Sequence, residues 1–217
     1  MSLKEPPMKH LDLKHLDLIR AATQTLIAHV DELTALDQAI GDGDHGLNMR
    51  RGALAIEAKM PLWQDLSLGD TLKAAGMLCM STIGGSSGPV FGTLLVTLAK
   101  ELPPVTDASP TAADLSRALQ ASIAALTRLG KAEVGQKTLL DVLDPLQRLL
   151  ADVDPHDRAA AIVQARECAL NAAAATAQMD AIKGRASFLG DRALGHVDPG
   201  SRSMALIVVA ICDGLSA

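Results

Sequence analysis

Apolar residues return at three- and four-residue steps along most of the chain. Leu16, Ile19, Ala22, Leu26, Val30 and Leu33 form the first such series, one face of a long amphipathic helix. That helix must stop within LDQAIGDGDHG, because glycines among aspartates cannot sustain it. Further helices are predicted near 46–60, ended by Pro61, near 69–82, and near 89–101, ended before Pro103 and Pro104. Ser109-Pro110 reads as an N-cap followed by a proline at the first helical position, opening a helix to Leu129. Helices near 138–151, 156–181 and 201–215 complete the series, the middle one rich in alanine. No segment alternates with the period of a strand. The expected fold is all-α: about eight helices on short loops, for which up-and-down antiparallel packing is the natural topology. Residues 1–12, polar and carrying Pro6 and Pro7, read as a loose arm; 13–217 read as a single helical domain.

Composition sharpens this picture. Trp63, Phe91 and Phe188 are the only aromatic residues, tyrosine is absent, and the apolar mass is made of small and aliphatic side chains that favour helix. A net charge of −5 without a basic stripe argues against nucleic acid as a partner. Cys79, Cys168 and Cys212 are an odd, widely spaced set in apolar stretches, read as buried reduced thiols in a reducing cytoplasm. The start MSLKEPPMKH has no apolar run of a signal peptide, and no stretch is long enough to span a membrane.

Chemistry concentrates in loops. In LDQAIGDGDHGLN, residues 36–48, Asp37, Asp42 and Asp44 repel one another unless a cation lies between them. Glycines at 41, 43 and 46 let the backbone fold so that these carboxylates converge, and hard oxygen ligands of this kind suit Mg²⁺. His45 and Asn48 open the next helix, where backbone N–H groups favour an anion. Taken alone, the same loop reads equally as a solvated acidic turn. It lacks the ligand spacing of an EF-hand.

IGGSSGPVFG, residues 83–92, places Ser86 and Ser87 among glycines just before a helix, a turn able to aim N–H groups and hydroxyls at a phosphate. It is not a Walker A loop, because the lysine is missing; alone it also reads as a plain connection. Between 183 and 200, Lys183, Arg185, Arg192 and His196 lie in a glycine-rich loop ending in Asp198-Pro199-Gly200, where cations can screen phosphate charge. In GKAEVGQKT, residues 130–138, Lys131 and Lys137 read as solvated. His10, His15 and His29 have no metal-ligand spacing, the cysteines have no C-x-x-C partner, and no nucleophile elbow is present.

Together, LDQAIGDGDHGLNMRRG, GGSSGPVFGT, GKAEVGQKTLLDVL and KGRASFLGDRALGHVDPGS resemble, in order and wording, the nucleotide-binding subunit of dihydroxyacetone kinases. The resemblance covers residues 30–215 and implies an antiparallel eight-helix barrel with its nucleotide in loops at one end. It also implies that Asp37, Asp42 and Asp44 hold two Mg²⁺ ions against the phosphates of ADP or ATP. His45, Gly46, Leu47, Asn48, Ser86 and Ser87 would lie on the phosphate side. Gly130 and Leu139 would line the adenine, with Arg185, a possible charge stabiliser, and Asp198, Pro199 and Gly200 completing the pocket. No base or nucleophile is required of the chain, since phosphoryl transfer rests on positioning and charge neutralisation. Val134, Gln136 and Leu139 depart from the A-x-P-G-D-K-T-M wording usual in the third motif, and Phe188 replaces a tyrosine.

The resemblance implies one of two working modes. In the first, ADP stays bound, a phosphoprotein of the sugar phosphotransferase system recharges it, and the γ-phosphate passes to dihydroxyacetone on a partner subunit. In the second, ATP is consumed at each turnover, on dihydroxyacetone or a related ketose or tetrose. These residues contain no sugar-binding domain, which favours a multi-subunit enzyme of the first kind. A nucleotide-sensing regulatory protein is the alternative from another class. An apolar surface near the loops is expected where the partner docks.

Overall fold

Helix-forming segments and their breakers set the architecture. The computed structural model describes residues 12–103 and 110–216. Among them are nine α-helices: α1 (Asp12–Ala28), α2 (Val30–Ile40), α3 (His45–Lys59), α4 (Leu68–Thr82), α5 (Ser87–Glu101), α6 (Ala112–Gly130), α7 (Leu140–Asp152), α8 (Arg158–Ala175) and α9 (Pro199–Ser216). Short 3₁₀ stretches occupy Met60–Leu62, Thr176–Gln178 and Arg185–Ala193, and the described residues contain no strand. Residues 1–11 of the expected loose arm, with His10, lie outside the described residues, as do Pro104 and Ser109, while Asp12 already belongs to α1.

From α3 to α9 each helix packs on the next, α9 packs on α1, and both α1 and α2 pack on α3, which closes the ring. α1 and α2 share one position in that ring, so the barrel has the eight staves expected from the sequence. The long first helix of that reading is instead broken at His29. The His29 ring donates Nδ1–H to the Thr25 carbonyl at 2.8 Å, a local side-chain bond that competes with continued helix geometry.

Small residues set the spacing of the staves. A Cβ on Gly76 would come within 2.9 Å of the Gly92 carbonyl, and one on Gly92 within 2.8 Å of the Gly76 carbonyl, so α4 and α5 cross at backbone contact. Ala165, Ala169 and Ala173 recur at four-residue steps as the buried stripe of α8. The core inside the ring is aliphatic: Leu33, Val142, Leu143 and Ala205 are fully enclosed. Burying each such leucine contributes about 1.5–3 kcal/mol. Trp63 and Phe91 join this core, whereas Phe188 is 86% exposed.

Other boundaries shift for identifiable reasons. The N-cap of α6 is Thr111 rather than Ser109: its hydroxyl accepts the Asp114 N–H while the Asp114 carboxylate accepts the Thr111 N–H, a reciprocal capping box. α8 stops at Ala175, shorter than its alanine run suggests, where Thr176 donates to the Ala173 carbonyl at 2.6 Å. The glycine-studded loop after Lys183 winds partly into 3₁₀ turns, kinked at Gly190.

Contacts between connections show which of them share an end: His45 meets Ser87, Arg185 meets Asp42, and Ser201 meets the Thr138 carbonyl. The α2–α3, α4–α5, α6–α7 and α8–α9 connections therefore share one mouth. These are the four segments that carry the sequence motifs.

Candidate functional site

Asp37 sits in the last turn of α2, buried, and its Oδ2 accepts the His45 backbone N–H at 3.1 Å. Beyond it the Gly41 N–H returns to the Asp37 carbonyl at 2.5 Å, and Gly43 adopts φ 76°, a left-handed turn that favours glycine. This fold-back brings one carboxylate oxygen from each of Asp37, Asp42 and Asp44 within 4.8 Å of one another. Three hard oxygen donors, two of them exposed, leave the remaining coordination positions to water or phosphate oxygens and fit Mg²⁺. Arg185, from the α8–α9 connection, places Nη2 at 2.8 Å from Asp42 Oδ2 and partly offsets the negative charge.

Two helix N-termini open beside this cluster. α3 begins at His45 and α5 at Ser87, and His45 Nδ1 lies 3.2 Å from Ser87 Oγ. Neither N-cap residue, Asp44 or Ser86, bonds its helix through its side chain, and neither helix has an acidic residue in its first turn, although Asp37 takes the first N–H of α3. By contrast, α4, α6 and α8, which start at the opposite end, are capped by Ser67, Thr111 and Asp157. Uncapped N–H groups with their helix dipoles form a site for an anion.

His45 links these parts. Its Nε2 lies 3.1 Å from Ser203 Oγ on α9. Burial lowers its pKa, opposed by the charges of Asp37 and Asp44 and by a hydrogen bond to the Pro199 backbone. The neutral ring then donates from one nitrogen and accepts at the other. Asn48, one turn along, is buried against the glycine turn, where a Cβ on Gly84 would meet Asn48 Oδ1 at 2.7 Å. Ser86 is exposed at the head of α5, and Leu47 is exposed in the first turn of α3. Gly46 faces inward against α2, where an added Cβ would strike the Val30 carbonyl and Thr34 Oγ1.

Asp198 caps α9, accepting the Ser201 N–H at 2.6 Å, with Pro199 following as the first helical residue. Burial raises its carboxyl to about 6, with the Ser201 hydrogen bonds opposing. Gly200 lies beside the Leu139 backbone at the head of α7. Gly130 is the exposed last residue of α6, at the same end. Of the loop cations expected to screen charge, Arg185 reaches the acidic cluster, while Lys183, Arg192 and His196 are exposed.

Lys137 differs from expectation. It is 2% exposed, not solvated, with Nζ donating to the Thr176 carbonyl at 2.6 Å. Nothing in GKAEVGQKT distinguishes it from Lys131, which is exposed, because its partners come from the distant end of α8. Asp141, Thr176, Ser201 and Ser203 were also missed; all are buried. Asp141 alone carried a local signal, the T-x-x-D spacing from Thr138, whose N–H it accepts at 2.7 Å.

A family model for the DAK2 domain matches residues 39–213. The chain is 39% identical over 180 residues to the ADP-binding subunit DhaL of the PEP-dependent dihydroxyacetone kinase of Escherichia coli, covering 81% of this chain and 84% of that one. It is 38% identical over 179 residues to the ADP-binding subunit DhaL of PEP-dependent dihydroxyacetone kinase 1 of Listeria innocua, covering 82% and 84%. The crystal structure of the dihydroxyacetone kinase from C. freundii in complex with AMP-PNP and Mg²⁺ superposes with a TM-score of 0.72 at 22% identity. That match takes in 98% of this chain but 36% of that one, and shows a shared fold. No helix of the described residues is long and apolar enough to cross a membrane. With the match running from the last turn of α2 into α9, the chain belongs to the DAK2 domain family.

Proposed function

We propose that this chain is the ADP-carrying subunit of a multi-subunit dihydroxyacetone kinase in the cytoplasm, a phosphotransferase that hands the nucleotide γ-phosphate to dihydroxyacetone held on a partner subunit. The observation that carries the reading is the convergence of Asp37, Asp42 and Asp44 beside the uncapped starts of α3 and α5. One element favours cations and the other anions, and a metal–diphosphate unit satisfies both.

In this reading the three aspartates hold two Mg²⁺ ions. Bound Mg²⁺ supplies the positive charge that neutralises the phosphates during transfer. Gly46, Leu47 and Asn48 at the start of α3, with Ser86 and Ser87 at the head of α5, receive the phosphates through N–H and hydroxyl groups, and His45 lines the same side with its own N–H held by Asp37. Leu139 and Gly130 face the adenine, and Asp198, Pro199 and Gly200 wall the remainder. Arg185 stabilises charge at the phosphates, reaching them from the α8–α9 connection. No side chain of this chain need act as base or nucleophile, since phosphoryl transfer rests on positioning and charge neutralisation.

Two features support the partners. Leu47, Val134, Ile182, Phe188 and Leu194 are exposed apolar side chains carried by segments at the site end, a surface suited to a docking protein. The relatives at 38% and 39% identity are ADP-binding subunits of PEP-dependent enzymes. This favours ADP retained and recharged by a phosphotransferase-system phosphoprotein over free ATP.

The test is made on protein purified without added nucleotide, denatured so that what it releases can be identified and counted. About one ADP per chain, surviving dialysis with magnesium, supports the retained cofactor. An empty site that exchanges ATP freely indicates an ATP-consuming kinase, and no affinity for either nucleotide refutes the proposal.

A further inference from the structure

A buried lysine is costly unless its ammonium is fully engaged. Lys137 lies in the α6–α7 connection with φ 59°, a left-handed backbone that a residue with a Cβ rarely adopts. Its Nζ donates to the Thr176 carbonyl at 2.6 Å and reaches the Met179 carbonyl at 3.4 Å, both just past the end of α8. Burial pulls its pKa down, while the charges of Asp198 and Asp180 oppose that and favour the ammonium.

Its partners continue the connection. The Thr176 hydroxyl accepts the Asp198 N–H at 3.0 Å and donates to the Ala173 carbonyl at 2.6 Å. Ser201 Oγ lies 2.8 Å from the Thr138 carbonyl and 3.0 Å from Asp198 Oδ2. Asp141 holds the other side of the same connection, accepting the N–H groups of Gly135 and Thr138. Residues 133–139, 176–180 and 198–201 are thus joined into one unit, with Lys137 as its buried cation. Leu139 and Gly200, next to each other in space, sit on its surface.

We infer that Lys137 is a positioning residue for the adenosine half of the nucleotide, its ammonium tying the α6–α7 connection to the end of α8 and, through Thr176, to the start of α9. The inference rests on the nucleotide reading proposed above and assigns Lys137 no contact with the ligand. The phosphate half is built on α2, α3 and α5, and Arg185, which reaches it from the α8–α9 connection, is not among the residues that Lys137 engages. Loss of the tie therefore acts on one half of the pocket.

Lys137→Met keeps most of the length of the side chain and removes its charge. Wild type and variant are compared for affinity towards Mg²⁺–ADP and Mg²⁺–tripolyphosphate, and for backbone hydrogen exchange. The expected result is ADP affinity weakened about tenfold or more, with tripolyphosphate affinity within about twofold of wild type. Exchange should quicken in 131–139 and 195–202 and stay unchanged in 83–92. Lys137→Gln, which retains an N–H donor, should recover part of the loss, and it takes the same measurements if Lys137→Met does not fold. A folded variant with wild-type ADP affinity, or one that loses both ligands equally, overturns the inference. Wild-type protein without ADP affinity fails at an earlier step: it removes the functional reading itself.

Discussion

The Arg185 guanidinium lies 2.8 Å from the Asp42 carboxylate, so the α8–α9 connection is fastened to the acidic turn by an ion pair. Both side chains meet solvent, with 67% and 35% of their surfaces exposed. Such a pair adds about 0–1 kcal/mol to stability. Arg185→Ala should therefore lower the melting temperature by no more than about 2–4 °C. ADP should leave the variant faster, measured by stopped-flow release of a fluorescent analogue. A large drop in melting temperature would show that the pair is structural instead.

Asp44 and Asp37 should separate metal binding from folding. Asp44 is exposed, and Asp44→Ala should abolish magnesium-dependent nucleotide retention with circular dichroism and melting temperature near wild type. Asp37 also accepts the His45 N–H from a buried position. Asp37→Ala should lose nucleotide and about 1.5–3 kcal/mol of stability as well, read from urea unfolding. Retained nucleotide in Asp44→Ala would refute the metal assignment.

Asp198 makes a pH prediction with a definite sign. Its carboxyl, at about 6 in the folded chain, lies above the ordinary 3.8, so the folded state favours the proton. Its contribution to stability is full below about pH 4 and is lost as pH rises through 6. Asp141 adds to the upward shift and Lys137 opposes it. Asp198→Asn keeps a side-chain oxygen for Ser201 and cannot ionise. Its stability relative to wild type should therefore rise by about 2–3 kcal/mol between pH 4 and pH 7. Unfolding curves at several pH values check this, and a difference independent of pH would contradict it.

Gly88→Ala tests the packing under the serine turn. The added Cβ would come within 2.4 Å of the Ile83 carbonyl and 3.1 Å of the Cys79 carbonyl, backbone atoms that cannot swing aside. A loss of about 1–3 kcal/mol is expected in chemical denaturation. Gly130→Ala, whose Cβ would meet nothing closer than 3.9 Å, serves as the control.

The division between sequence and structure follows the range of the forces involved. Helices were readable because their signals are local: apolar spacing, proline stops and glycine loops act within a few residues. The acidic turn and the serine turn were readable for the same reason, since Asp37, Asp42 and Asp44 converge through their own short loop. Even the miss at the start of α6 was local, a Thr111–Asp114 box outweighing an equally plausible Ser-Pro pair. The break at His29 was beyond such rules, because apolar periodicity runs through it undisturbed.

Tertiary structure alone decided which polar side chains are buried and whom they meet. Lys137 and Lys131 look alike in the sequence, and only the end of α8, delivered by the closure of the ring, makes one of them internal. The meeting of His45 with Ser203, 158 residues away in the chain, and of Arg185 with Asp42 depends likewise on stave order and spacing. A buried ammonium or imidazole is stable only where partners arrive from other elements, and no local pattern of residues records that arrival.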